Sequence, residues 1–107
     1  MIKATIGYPF TEGARFDHDY YQNSHLPMVK ATLSPRLRRL AVDRGLVGGE
    51  PGSNPPYIIV GHLYFDSLES MTEAYTDDAR TKIFNDIPNF TDIHPVLMIS
   101  EVVIDEV

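Results

Sequence analysis

The chain has 107 residues, the size of one domain with one modest core. Nine Lys and Arg stand against fifteen Asp and Glu, a net charge of −6, and an acidic chain repels phosphate backbones, so nucleic acid is excluded as an expected partner. Cysteine is absent, which excludes disulfides, thiolate nucleophiles and thiolate metal sites.

From the N-terminus, "IKATIGYPF" alternates: Ile2, Ala4, Ile6 and Tyr8 point one way, Lys3 and Thr5 the other. A strand ending at Pro9 is expected. Asp17 suits a helix N-cap and Asp19 the first turn, where negative charge is favourable. A helix is expected from about residue 17 to about residue 33, disturbed near Pro27. "RLRRLAVDRGLVG" mixes strand and helix signals; it is read as the second strand because the Gly- and Pro-dense "GGEPGSNPP" behind it forces a return loop. "YIIVGHLYF" carries the strongest strand signal. Asp66 or Ser67 then caps a second helical region, with Glu69 in capping-box position to Asp66. That region runs to about residue 86, with a break near Asp77. "DIPNFTDIHP" is a compact loop and "VLMISEVVI" the last strand.

The order β-α-β-β-α-β is the split pattern of an α+β, ferredoxin-like protomer, a four-stranded antiparallel sheet with helices on one face. One domain spanning residues 1–107 is expected. No apolar run reaches membrane-spanning length and no leader precedes the first strand, so the expectation is a cytoplasmic protein without membrane contact.

The strands also speak to assembly. In "YIIVGHLYF", Ile59, Leu63 and Phe65 share one face, and Ile58, Val60 and Tyr64 the other. "VLMISEVVI" is again apolar on both faces. A sheet covered on one side only should be polar outside. A second copy is the expected cover, giving a homodimer with sheet packed on sheet, in which His62 and Tyr64 are interface residues.

Within "DHDYYQNSHLP", Tyr21 and His25 begin an i, i+4 series that continues through Val29 and Leu33. His25 therefore lies near the centre of an apolar stripe. Pro27 cannot donate to the carbonyl of Asn23 and disfavours helical geometry at Leu26. A neutral imidazole at such a disturbance can donate from one nitrogen and point the other into a cavity.

"FDHDYYQNSHLPMV" resembles the first helix of the EthD-like family, within the dimeric α+β barrel superfamily. "GHLYFDSLESM" is similar to that family's third strand and second helix, and "DIPNFTDIHPVLMISEV" to its closing loop and last strand. The resemblance implies a ferredoxin-like protomer whose sheet pairs with a second copy, and a hydrophobic pocket between sheet and helices. Members of the superfamily include cofactor-independent monooxygenases of aromatic polyketides, polyketide cyclases and muconolactone isomerases. The EthD-like branch takes its name from gene clusters for ether degradation.

Candidate site residues follow. His25 is the candidate general base or acid, and Tyr21, one turn away, the candidate partner or oxyanion donor. Tyr8 ends the first strand and offers a hydroxyl at the pocket mouth. Asp86 is a candidate partner for a pocket group, though its position also suits a simple turn. Asn89 and Phe90 are candidate ligand contacts. The bland alternatives are that Asn89, Thr91 and Asp92 serve as turn formers, and that Phe90 plugs the cavity or packs at the dimer seam. His94 is expected to be exposed. His18 and His25 are two turns apart, too far to chelate without a third element. No Gly-rich phosphate loop opens a helix. Neither metal nor cofactor is therefore expected. Two classes of function remain. One is a cofactor-independent enzyme (isomerase, cyclase or monooxygenase type) on a small hydrophobic, aromatic or carbonyl compound. The other is a non-catalytic homodimeric ligand-binding or accessory protein, in which His25 makes a structural or ligand hydrogen bond.

Overall fold

The computed structural model describes residues 1–106. Strands β1 (Ile2–Pro9), β2 (Arg39–Arg44), β3 (Tyr57–Phe65) and β4 (Val96–Glu101) form one antiparallel sheet in the order β2-β3-β1-β4. This is the ferredoxin-like α+β arrangement expected from the order of elements. Register fixes the faces. Ile2 faces Phe65, Ala4 faces Leu63 and Tyr8 faces Ile59 on the side covered by helices. Lys3 opposite Tyr64 and Thr5 opposite His62 lie on the other side. The last strand was expected to reach residue 104 and ends at Glu101. One more bond follows, from the Val102 N–H to the Met1 carbonyl at 2.9 Å, and there the neighbouring strand runs out.

The first helix comes in three pieces: α1 (His18–Tyr20), a π-turn (Tyr21–His25) and α2 (Leu26–Leu33). Asp17 caps it as expected, its carboxylate accepting from the Tyr20 N–H at 3.0 Å. The disturbance precedes Pro27 instead of falling on it. The proline ring would strike the Asn23 carbonyl in a regular α-turn. The Leu26 N–H instead donates to the carbonyl of Tyr21, five residues back, and the widened turn gives the ring room.

The second helical region also divides, into α3 (Leu68–Ala74) and α4 (Asp77–Asp86), followed by a 3-10 turn (Ile87–Asn89). The break falls at residues 75 and 76, where the Thr76 hydroxyl caps α4. Ser67 caps α3, accepting from the Ser70 N–H at 3.0 Å. Asp66 and Glu69 make no capping box, because Asp66 pairs with Arg38 at 2.8 Å.

Two clusters fill the space between sheet and helices. An aliphatic one joins Ala4, Val29, Leu33, Leu63, Phe65, Ala74 and Ile83. An aromatic one joins Tyr8, Tyr21, Ile59, Phe90 and Ile93. Each fully buried large side chain of this kind contributes about 1.5–3 kcal/mol. The opposite sheet face carries no helix. Val60, His62 and Tyr64 are half-buried there, and Val96 and Met98 are exposed.

Candidate functional site

A cavity of about 270 Å³ lies where the two clusters meet. The sheet contributes Ala4, Ile6, Tyr8, Gly61 and Leu63, the first helix Tyr21, His25, Leu26 and Val29. The far wall comes from α3, α4 and their junction, including Met71, Tyr75, Arg80 and Ile83. Leu97 and Ile99 of the edge strand β4 also line it; both are half exposed, because no helix lies over them. The lining is mostly apolar with a few polar groups, the usual make-up of a small-molecule site.

His25 is a buried polar group in the cavity wall. Its residue is 4% exposed. Its Nδ1 lies 2.8 Å from Oδ2 of Asp86. The widened π-turn advances less per residue than an α-helix, so Tyr21 sits nearly over His25. Their rings stack with centroids 5.6 Å apart and planes 21° from parallel. Burial is the largest influence on the imidazole and pushes its pKa below the ordinary 6.5, while the Asp86 hydrogen bond and charge oppose it. A neutral ring facing a carboxylate through Nδ1 donates from Nδ1–H and keeps a lone pair on Nε2. Among the described residues Nε2 has no protein partner, which leaves it to the cavity.

Asp86 is itself held by three donors. The Tyr20 hydroxyl donates at 2.7 Å and the Asn89 side-chain amide at 2.9 Å, alongside His25. Burial alone would raise its carboxyl pKa. The hydrogen bonds from Tyr20, His25 and Asn89 outweigh that and hold it below the ordinary value. A carboxylate fixed this way sets both the tautomer and the orientation of the ring in front of it.

Tyr8 and Tyr21 supply two phenols to the cavity. Burial pushes both well above the usual value near 10, so both remain protonated donors at neutral pH. Neither hydroxyl has a protein partner among the described residues. Gly61 makes the space for one of them. A Cβ at position 61 would lie 3.3 Å from the Tyr21 hydroxyl, so only glycine leaves that oxygen unpressed.

The closing loop is tied to the loop before α1. The Arg15 guanidinium donates to the Pro88 carbonyl at 2.6 Å, and the Thr91 hydroxyl donates to the Arg15 carbonyl at 2.6 Å. The Asp92 carboxylate accepts from the Arg15 N–H at 3.2 Å. Thr91 and Asp92 thus act as turn and clamp residues. Phe90 is fully buried, its ring centroid 4.5 Å from that of His25 and 5.1 Å from that of Tyr21. It backs the imidazole from within the aromatic cluster, far from the open sheet face.

Of the residues singled out from sequence, Tyr8, Tyr21 and His25 line the cavity, while Asp86, Asn89 and Phe90 stand behind His25. His94 is exposed, as expected. Sequence reading missed Tyr20, Gly61 and Arg80. Arg80 had a signal: with Ile83, Phe84 and Ile87 it recurs at the i, i+3, i+4, i+7 spacing of one helix face. Tyr20 had none, because the π-turn that sets its phase is not visible in the spacing. Among the described residues no three His, Asp or Glu side chains gather as a metal site would require, and no helix is long and apolar enough to cross a membrane.

A ferredoxin-like fold with a cavity between sheet and helices defines the class of protein. The EthD domain model matches residues 13–94, so the chain belongs to the EthD family. An EthD-like protein from Ralstonia eutropha JMP134 is similar over 98% of this chain and 94% of its own, with 44% identity and a TM-score of 0.91. An ethyl tert-butyl ether D (EthD) family protein from Bacillus halodurans C-125 matches over 96% of this chain and 99% of its own, with 26% identity and a TM-score of 0.71. A dimeric ferredoxin-like protein of unknown function from Thermobifida fusca YX shares the fold alone, at 11% identity and a TM-score of 0.61 over 94% of this chain and 90% of its own. No functionally curated protein shows a significant match.

Proposed function

We propose that the protein is a cofactor-independent enzyme that moves a proton on a small hydrophobic or aromatic carbonyl compound, with His25 as the base. The observation that carries this reading is the Asp86–His25 pair, which gives a neutral imidazole a fixed Nδ1–H and a free Nε2 at the wall of an apolar cavity. Nε2 takes the proton from the carbon next to the carbonyl. The electron pair moves onto the carbonyl oxygen, which becomes an enolate oxygen. The Tyr21 hydroxyl, with Tyr8 beside it at a ring-centroid distance of 6.0 Å, donates a hydrogen bond to that oxygen. In isomerisation the enolate pair re-forms the carbonyl while the imidazolium returns the proton to a different carbon; in cyclisation the enolate carbon bonds to a second carbonyl carbon of the substrate and the imidazolium protonates the oxygen left there. Charge that develops in a low-dielectric pocket is stabilised more by each fixed donor than it would be in water. Asp86 meets the imidazolium with a full negative charge.

The same reading places two copies together through the uncovered sheet face. Support comes from the half-buried Val60 and Tyr64 and the exposed Val96 and Met98. A second copy would remove that apolar surface from water.

The experiment is deuterium uptake at the α-carbon of a panel of activated ketones in D₂O. The expected result is uptake above the buffer rate with the native protein and its loss in His25→Gln. Equal uptake with both proteins would overturn the assignment.

A further inference from the structure

Resting on the reading of the cavity as a small-molecule site, we infer that its ligand carries a carboxylate, seated at Arg80, on an apolar body that reaches towards His25. Arg80 lines the cavity, and among the described residues it is the one Lys or Arg that does so. Its side chain is 59% exposed, which places it at the mouth. Its guanidinium is little committed: the nearest carboxylate, Asp77, lies 3.9 Å away and is fully exposed. A guanidinium has five donors in a planar fork that matches a carboxylate.

Position along α4 gives the ligand its length. Arg80 and Asp86 are six residues apart, about 9 Å along a helix axis. Arg80 lies at the mouth, and His25, backed by Asp86, lies in the wall of the same cavity. Between them run Ile83 and Phe84, so the middle of the ligand meets hydrocarbon. A volume of about 270 Å³ holds a compound of roughly a dozen heavy atoms. Tyr75, also in the lining, has a phenol that burial pushes up to about 12, with the charge of Arg80 acting against that rise. The chain as a whole is acidic, with a net charge of −6, and repels anions. Any preference for an anion must come from this local cation, and it must weaken with salt.

The test is a binding titration at low ionic strength with two matched pairs, trans-cinnamate with cinnamamide and 1-naphthoate with 1-naphthamide. Affinity and the response of the His25 imidazole resonance are read together, on the native protein, Arg80→Gln and Arg80→Lys. The expected result is about tenfold tighter binding of each carboxylate than of its amide. The preference disappears in Arg80→Gln, is partly kept in Arg80→Lys, and falls with added salt. Amides that bind as tightly as the acids, or a preference that survives in Arg80→Gln, overturn the inference. If the His25 signal still responds in those cases, the ligand site itself stands. If neither member of either pair binds or moves His25, the ligand-site reading falls with it.

Discussion

The Nδ1 atom of His25 lies 2.8 Å from the Asp86 carboxylate, across 61 residues of sequence. Both partners are held from behind: the ring by Phe90 and Tyr21, the carboxylate by Tyr20 and Asn89. In Asp86→Asn the side-chain oxygen can still accept from Tyr20, but the amide must donate to His25 Nδ1. That moves the ring proton to Nε2 and removes the base. The expected outcome is a loss of about 10²–10⁴ in α-proton exchange, as deep as that of His25→Gln. Urea unfolding should show a stability loss of about 1–3 kcal/mol from imperfectly paired buried donors. Native exchange rates in Asp86→Asn would show that the pair is structural.

The pH dependence has a definite sign. Burial depresses His25 below 6.5 in the folded chain, so the unfolded chain binds the proton more readily. The neutral ring's contribution is complete above 6.5 and is lost as pH falls from there through the folded value. The depressed Asp86 acts in the same direction at lower pH, losing its contribution as pH falls below 3.8. Denaturant midpoints of the native protein should therefore fall on acidification from neutral pH, and His25→Gln should flatten the first part of that fall. An unchanged slope in His25→Gln would contradict the assignment.

Gly61→Ala separates the site from the scaffold. The new methyl would sit 3.3 Å from the Tyr21 hydroxyl, a contact relieved by a shift of a few tenths of an ångström. Alanine is otherwise acceptable in a strand and lowers the entropy of the unfolded chain, so the net stability change should stay within about 1 kcal/mol. The phenol should move, changing the ring-current shift of His25 and weakening ligand binding. A variant with native His25 shifts would show that this glycine has no part in the site.

The uncovered sheet face makes a prediction about mass. Sedimentation equilibrium should give twice the 12.1 kDa of the chain, and Met98→Glu, which sets a charge on that face opposite Thr5, should return it to one chain. A native monomer, or a Met98→Glu dimer, would rule out sheet-on-sheet pairing.

The fold was legible because two-residue alternation in "IKATIGYPF" and "YIIVGHLYF" marks faces directly, and those faces are the observed ones. Ser67 and Thr76 are caps of ordinary type, and the choice of Ser67 over Asp66 depended on Arg38, a partner 28 residues away. The site was half legible. His25 and Tyr21 share a local helical spacing, and local spacing can be read. Asp86 was flagged only as a candidate, because its bond to His25 depends on where two helices pack. The role of Tyr20 depends on a π-turn whose cause, Pro27, is visible but whose place, one turn upstream, is a three-dimensional solution. Gly61 reads as a weak point in a strand until Tyr21 is seen above it.

The most direct measurement is the long-range ¹H–¹⁵N spectrum of the histidine side chains, with His25 assigned by His25→Gln. It is recorded at neutral pH, then on acidification, and then with an aromatic ketone added. The expected result is a neutral ring protonated at Nδ1, with a bare Nε2 that takes up a proton only below 6.5 and shifts when the ketone binds. A ring protonated at Nε2 at neutral pH, or an Nε2 that responds to neither acid nor ligand, would contradict the assignment of His25 as the base.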